Sequence, residues 1–205
     1  MSPPLKYKTP EEEKQKEMMS IVRDVLAEDY WELSIDKLFI EEDLLERLTK
    51  VRCIAKLNKK SFTIEKVGRG LVDALFNGLK DSFKAPYLSL SGLTFYSFSI
   101  EGDVGDPSPD PSTAVEAALS VAGDSNYFPL IYRHKDASIN RATTTAVLNA
   151  IEYYINSERA MKKLYARAND ARERNRGDIL SDCILKMTPL LEGVSYSRVL
   201  DSMTE

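Results

Sequence analysis

Apolar and polar positions alternate with period two in the first third of the chain. Trp31, Leu33 and Ile35 alternate with Glu32, Ser34 and Asp36, and Val51, Cys53, Ala55 and Leu57 alternate with Arg52, Lys56 and Asn58. This pattern predicts two half-buried strands. Residues 61–67 (SFTIEKV) read as a third, paired with the second through the turn Asn58-Lys59-Lys60. The period then changes. Leu71, Leu75 and Leu79, flanked by Val72, Phe76 and Phe83, form one apolar face of a helix over residues 71–83. Residues 41–48 read as a helical turn or a charged connection. Met18 to Ala27 reads as a short helix with Ile21, Val22, Val25 and Leu26 on one face. Residues 1–17 are rich in proline and charge and are expected to fray.

The same order recurs. Leu93, Phe95, Phe98 and Ile100 mark a strand, Val115, Ala117, Leu119 and Val121 a second, and residues 127–133 (YFPLIYR) a third. Pro129 places the third at an edge or a bulge. The proline-containing loop 102–112 and the turn Gly123-Asp124-Ser125-Asn126 separate them. Ser138 or Asp136 can cap a helix starting near Ile139, whose stripe is Ala146, Val147, Ala150, Ile151 and Tyr154. The expected fold is α+β. It is a tandem repeat of a three-strand-plus-helix (βββα) unit, residues 30–83 and 88–157, with a helical C-terminal extension. Residues 1–28 form an N-terminal extension, 29–157 the repeated domain, and 158–205 the charged extension. In the last segment Gly177 interrupts one helix and Pro189 ends the next.

Composition narrows the class. The chain has 205 residues with 28 basic and 32 acidic side chains, a net charge of -4, so no basic footprint for nucleic acid or an anionic membrane is present. No apolar run approaches the 18 or more residues of a membrane span. The N-terminus lacks an apolar signal region, which points to the cytoplasm. The basic run Arg159, Lys162, Lys163, Arg167, Arg172, Arg174 and Arg176 is broken by Glu158, Asp170 and Glu173, as on an exposed mixed-charge helix.

Candidate chemistry is sparse. Cys53 and Cys183 lie far apart in apolar patterns and are expected to be reduced and buried. His134 is the single histidine, so a His/Cys metal site is not expected, and no Gly-x-Ser-x-Gly elbow supplies a nucleophilic serine. No cofactor is implied. The most informative stretch is Gly68-Arg69-Gly70, which closes a strand and opens a helix, with Asp73 in the first turn where exposed amides favour a carboxylate. Such a junction serves either as a tight structural turn or as the mouth of a small anion or zwitterion site. Asp136, Ser138 and Asn140 at the second junction read first as helix caps.

The run Gly68-Arg69-Gly70-Leu71-Val72-Asp73-Ala74, continuing to Leu79, resembles the Gly-x-Gly-Pro-Val-Asp-Ala signature of the C-terminal regulatory domain of 2-isopropylmalate synthase, with Leu71 in place of proline. The run Tyr132 to Ala142, followed by Ala146 to Ile151, is similar to that family's second-unit motif and aligns with it without a gap. There Tyr132 and His134 replace two glycines, and Asp136-Ala137-Ser138 replaces Ser-Thr-Asp. The resemblance covers roughly residues 30–157. It implies two βββα units, a homodimer, and binding of a small branched-chain amino acid that regulates a separate catalytic barrel in leucine biosynthesis. The implied ligand-binding residues are Gly68, Gly70, Asp73 and Ala74 in one unit, and His134, Asp136 and Ser138 in the other. A (β/α)₈ barrel needs about 250 residues, so the chain itself has no room for one.

The expectation is therefore a non-catalytic regulatory or dimerisation domain, with a catalytic-barrel protein as a possible partner and no catalytic residues of its own. The alternative is a structural or protein-interaction module on the same scaffold without an effector. A third reading, an enzyme using Asp73 and His134, requires those side chains to converge.

Overall fold

In the computed structural model, which describes residues 9–102, 114–123 and 129–193, the alternating segments pair into two antiparallel sheets. One holds β1 (Leu33–Asp43), β2 (Leu48–Leu57) and β3 (Lys60–Gly68) in that order, the other β4 (Thr94–Gly102), β5 (Val115–Ala122) and β6 (Leu130–Asp136). Helix α2 (Leu71–Phe83) follows the first sheet and α3 (Ile139–Glu173) the second, while α1 (Pro10–Leu26) precedes both and α4 (Gly177–Gly193) comes last. The fold is α+β, with four α-helices among the described residues.

The middle strands carry the core. Val51, Cys53 and Ala55 of β2 and Ala117, Leu119 and Val121 of β5 are fully buried. Helix α2 covers β2 and β3, and α3 covers β5 and β6. Each helix also reaches the other sheet. Phe76 of α2 meets Phe95 of β4 edge to face, with ring centroids 5.7 Å apart. Glu152 of α3 accepts the Leu33 N–H of β1 at 2.7 Å. The first strand of each sheet is bulged by one residue: Asp36 between the pairs Ile35–Ala55 and Lys37–Ile54, and Tyr96 between Phe95–Val121 and Ser97–Ser120.

Several elements run further than their local patterns indicate. The acidic stretch expected to fray is helical from Pro10, because Thr9 and Glu12 close a capping box and three glutamates occupy the first turn. Met18, Val22 and Leu26 then bury one face of α1. The segment 41–48 is not helical. β1 continues to Asp43, whose side chain accepts the Leu45 and Glu46 N–H groups, and the left-handed Arg47 (φ 55°) turns the chain into β2. Trp31 lies before the strand rather than in it.

At the other end, Asn175 (φ 55°) stops α3, and α4 runs through Pro189 to Gly193 instead of ending there. Proline removes its own N–H from the helical ladder and crowds the carbonyl four residues back, and Leu190, fully buried, anchors the turn beyond it against that cost. The boundary expected at residue 157 falls inside α3, where Ser157, Glu158, Ala160 and Met161 are all inaccessible to solvent. The loop expected at 102–112 and the turn at 123–126 lie almost wholly outside the described residues. Cys53 and Cys183 are buried free thiols.

Candidate functional site

At the first junction, β3 ends at Gly68 and α2 begins at Leu71. The two glycines of the motif do different things. A Cβ on Gly68 would stand 2.6 Å from the Ala74 nitrogen and 2.6 Å from Asp73 Oδ2, so only glycine lets the strand end lie against the first helical turn. A Cβ on Gly70 would meet nothing within 4 Å, and its backbone (φ 175°) is extended as any residue allows. Asp73 closes the turn. Its Oδ2 accepts the Arg69 N–H at 2.8 Å and its Oδ1 accepts Asn77 Nδ2–H at 2.7 Å. Ala74 is fully buried, and its N–H donates to the Gly70 carbonyl as the first helical bond.

The second junction is built from other residue types. Asp136, at the end of β6, accepts the Ser138 N–H at 2.8 Å and is gripped by Arg141 through Nε and Nη2 at 2.9 and 2.8 Å. That guanidinium, helped by the Ser138 amide, holds the Asp136 carboxyl below the usual aspartate range. Ser138 is the N-cap of α3, its hydroxyl accepting the Arg141 N–H. His134 lies inside β6 opposite Ala117, two residues from the strand's end at Asp136. Counted back from the first residue of each helix, Asp136 and Ser138 stand where Gly68 and Gly70 stand at the first junction. Tyr132 and His134 lie further back, within the strand.

The structure groups His134, Asp136 and Ser138 at one junction, and Gly68, Gly70, Asp73 and Ala74 at the other, each group following its own sheet. An open groove of about 710 Å³ lies beside the second junction, between β1 and the first three turns of α3. Asp136 lines it together with Ile35, Leu38, Arg141, Thr144 and Leu148, and its lining includes none of the first junction's residues. A wider groove of about 1050 Å³ lies at the β2–β3 turn, walled by Tyr30, Trp31, Phe62 and Phe83 and edged by Lys59 and Lys60. There Arg159 covers one face of Trp31 at 3.9 Å from the ring centre.

A polar column on α3 joins Arg159 and Lys163, expected on an exposed mixed-charge helix, to Glu152 and Asn156, for which the sequence pattern suggested no role. Glu152, Asn156, Arg159 and Lys163 follow one another at helical spacing and hold the crossing segment 29–33. Glu152 takes the Tyr30 hydroxyl at 2.9 Å and the Leu33 N–H, Asn156 bonds both backbone groups of Trp31, and Lys163 pairs with Asp29 at 3.0 Å. Burial pushes the Glu152 carboxyl up, against those two donors. Glu158, wholly buried, accepts the Ser89 N–H and Lys162 Nζ. The available signal was the recurrence of polar residues every three to four positions beside the apolar stripe.

Among the described residues, no group of three or more His, Cys, Asp or Glu side chains is placed to hold a metal ion, and no helix is long and apolar enough to cross a membrane. Compared with known proteins, the chain matches no family model and no curated sequence.

Proposed function

We propose that the chain is a non-catalytic regulatory and dimerisation domain. Its scaffold would be a duplicated βββα unit like that of the 2-isopropylmalate synthase regulatory domain, acting on a separate catalytic partner. The observation that carries this reading is the correspondence between the two halves. Each has three antiparallel strands in sequence order, a first strand bulged at Asp36 or Tyr96, and a helix starting three residues after its third strand ends. An effector, a small branched-chain amino acid in this reading, would sit at the helix mouths.

The dimer would use β4, an edge strand whose Phe95, Tyr96 and Ile100 are 37%, 68% and 42% exposed. Exposed apolar edge strands pair readily with a second copy. Light scattering on the purified chain tests the dimer, and a monomer at every concentration removes that part. Titration calorimetry with leucine, isoleucine and valine tests the effector, and silence at millimolar ligand removes it.

A second reading, an interaction module without an effector, is favoured by one observation. The carboxylates of Asp73 and Asp136 are already engaged by their own turns. On that reading Asp73→Ala lowers stability slightly and leaves partner binding unchanged. The same bonds weigh against an enzyme pairing Asp73 with His134, since both Asp73 oxygens are occupied within α2 and its preceding turn.

A further inference from the structure

Ala27, between α1 and the start of β1, has φ 48° and ψ −118°. That conformation is close to the first central position of a type II′ turn, which glycine favours, and it lies outside the left-handed helical well. An alanine is strained there, and such strain persists only where surrounding contacts enforce it. The contacts that follow are mostly polar and come from one face of α3. Asp29 accepts Lys163 Nζ at 3.0 Å, the Tyr30 hydroxyl donates to Glu152, Asn156 bonds both backbone groups of Trp31, and Arg159 covers the Trp31 ring. Arg23 and Tyr87 add one ring contact each, to Tyr30 and Trp31. Of residues 27–31, only Tyr30 and Trp31 are even partly shielded from solvent. Glu32 is fixed differently, through both backbone groups to Asn58 at 2.8 Å, and Leu33 then opens β1. Glu28, Tyr30 and Trp31 form one wall of the groove of about 1050 Å³. The facing wall belongs to packed elements: Phe62 of β3 meets Phe83 of α2 edge to face at 5.0 Å.

We propose that residues 27–31 are a hinged strap that opens as a unit while both sheets and α3 stay folded, and that its opening widens this groove. Ala27 is the hinge at one end, and Glu32, pinned to Asn58, is the hinge at the other. Two features set the balance between the closed and open forms. Opening gives up side-chain ties, which water replaces in part, and two half-buried rings, but no ladder of sheet hydrogen bonds. It also releases the strain at Ala27. A segment with few buried groups and exposed bonds opens at lower free energy than a core strand. The strap is independent of the regulatory reading, since none of its residues belongs to either helix junction.

The test is native-state hydrogen exchange on the full chain, read by NMR at single amides over a series of urea concentrations below the unfolding transition. The reporters are the Trp31 N–H, bonded to Asn156 Oδ1, and the amides of the middle strand β2, which pairs with β1 and β3. Relative to its rate in an unstructured chain, Trp31 should exchange about a hundredfold or more faster than the β2 amides. Its dependence on urea should also be shallower, because opening the strap exposes little surface. Equal protection and an equal urea slope at Trp31 and β2 would mean that the segment comes free only with the whole fold, and would overturn the strap. Ala27→Gly relaxes the closed form and should slow exchange at Trp31 severalfold, the freedom of glycine in the open form offsetting only part of the gain. Unchanged or faster exchange at Trp31 in that variant would overturn the strained hinge and the proposal with it.

Discussion

Glu152 of α3 accepts the first backbone N–H of β1, at Leu33, with one carboxylate oxygen, and the Tyr30 hydroxyl with the other. One side chain thus ties the start of the first sheet to the helix that covers the second. Glu152→Ala leaves two partly buried donors without an acceptor and should cost about 2–4 kcal/mol in urea unfolding, while Glu152→Gln, which keeps one acceptor, should cost less. The carboxyl is raised above its ordinary 4.5 by burial, so the folded state holds its proton more tightly than the unfolded one. Its contribution is therefore fully present below 4.5 and declines as pH rises through the raised value. The stability gap between wild type and Glu152→Gln should narrow over that rise; a gap that widens would contradict the assignment.

The two glycines of the first junction should behave oppositely. Gly68→Ala drives a Cβ against the backbone of Ala74, which cannot retreat without moving α2 off β3. A loss of about 1–3 kcal/mol, the usual range for overpacking, is expected. Gly70→Ala points into open space on an extended backbone and reduces only the freedom of the unfolded chain. It should be neutral or stabilising by up to about 1 kcal/mol. Chemical denaturation of both variants is the check, and equal losses would mean that the strand end does not lie on the helix as described.

The difference between those glycines was not readable from their spacing, and the reason is general to this chain. Alternation identified β2 because it buries one face, in Val51, Cys53 and Ala55, and it identified β5 although Ser120 and Ala122 on that strand's other face are buried as well. Those signals are local. The reach of β1 to Asp43 depends on pairing with Leu48, and the start of α1 depends on the Thr9–Glu12 box together with the packing of Met18. The groove beside Thr144 is further out of reach. A threonine at that position reads as an ordinary helical residue until the packing of α3 beside β1 puts it on the same groove as Ile35. Asp73 and Asp136 were recognisable as helix-start carboxylates, but their partners, Arg69 N–H and the Arg141 side chain, were not.

Gln15 offers a test of how α1 is held. Its amide bonds both the N–H and the carbonyl of Ile131 at 2.9 Å, occupying the outer edge of β6 as another strand would. Gln15→Ala should cost about 1–2 kcal/mol and speed hydrogen exchange at the Ile131 amide selectively. Unchanged exchange there would place α1 elsewhere.

Acid stability has a separate local source. Asp81 accepts Lys66 Nζ at 2.6 Å and Lys84 Nζ at 2.8 Å, and these bonds hold its carboxyl below the ordinary 3.8. The contribution is present above 3.8 and is lost as pH falls through the lowered value. Because the groups are about 40% exposed or more, its size should be under about 1 kcal/mol and shrink with salt. Melting curves of wild type and Asp81→Asn should differ near neutrality and converge in acid.

Two apolar surfaces compete as the place where copies of the chain would meet, and substitution separates them. One is β4, where Phe95, Tyr96 and Ile100 stand on an edge strand. The other is the β1–β2 turn, where Leu44 and Leu45 are 84% and 89% exposed. Of these two, β4 is the one that combines apolar side chains with a sheet edge whose backbone can add a strand. A lysine on an edge strand is a common block to such pairing. Tyr96→Lys should therefore shift the proposed dimer to monomer in light scattering while leaving the melting temperature nearly unchanged, because Tyr96 is already 68% exposed. Leu44→Lys with Leu45→Lys should leave the dimer intact. The opposite result would move the interface to the turn and detach dimerisation from the sheet edge.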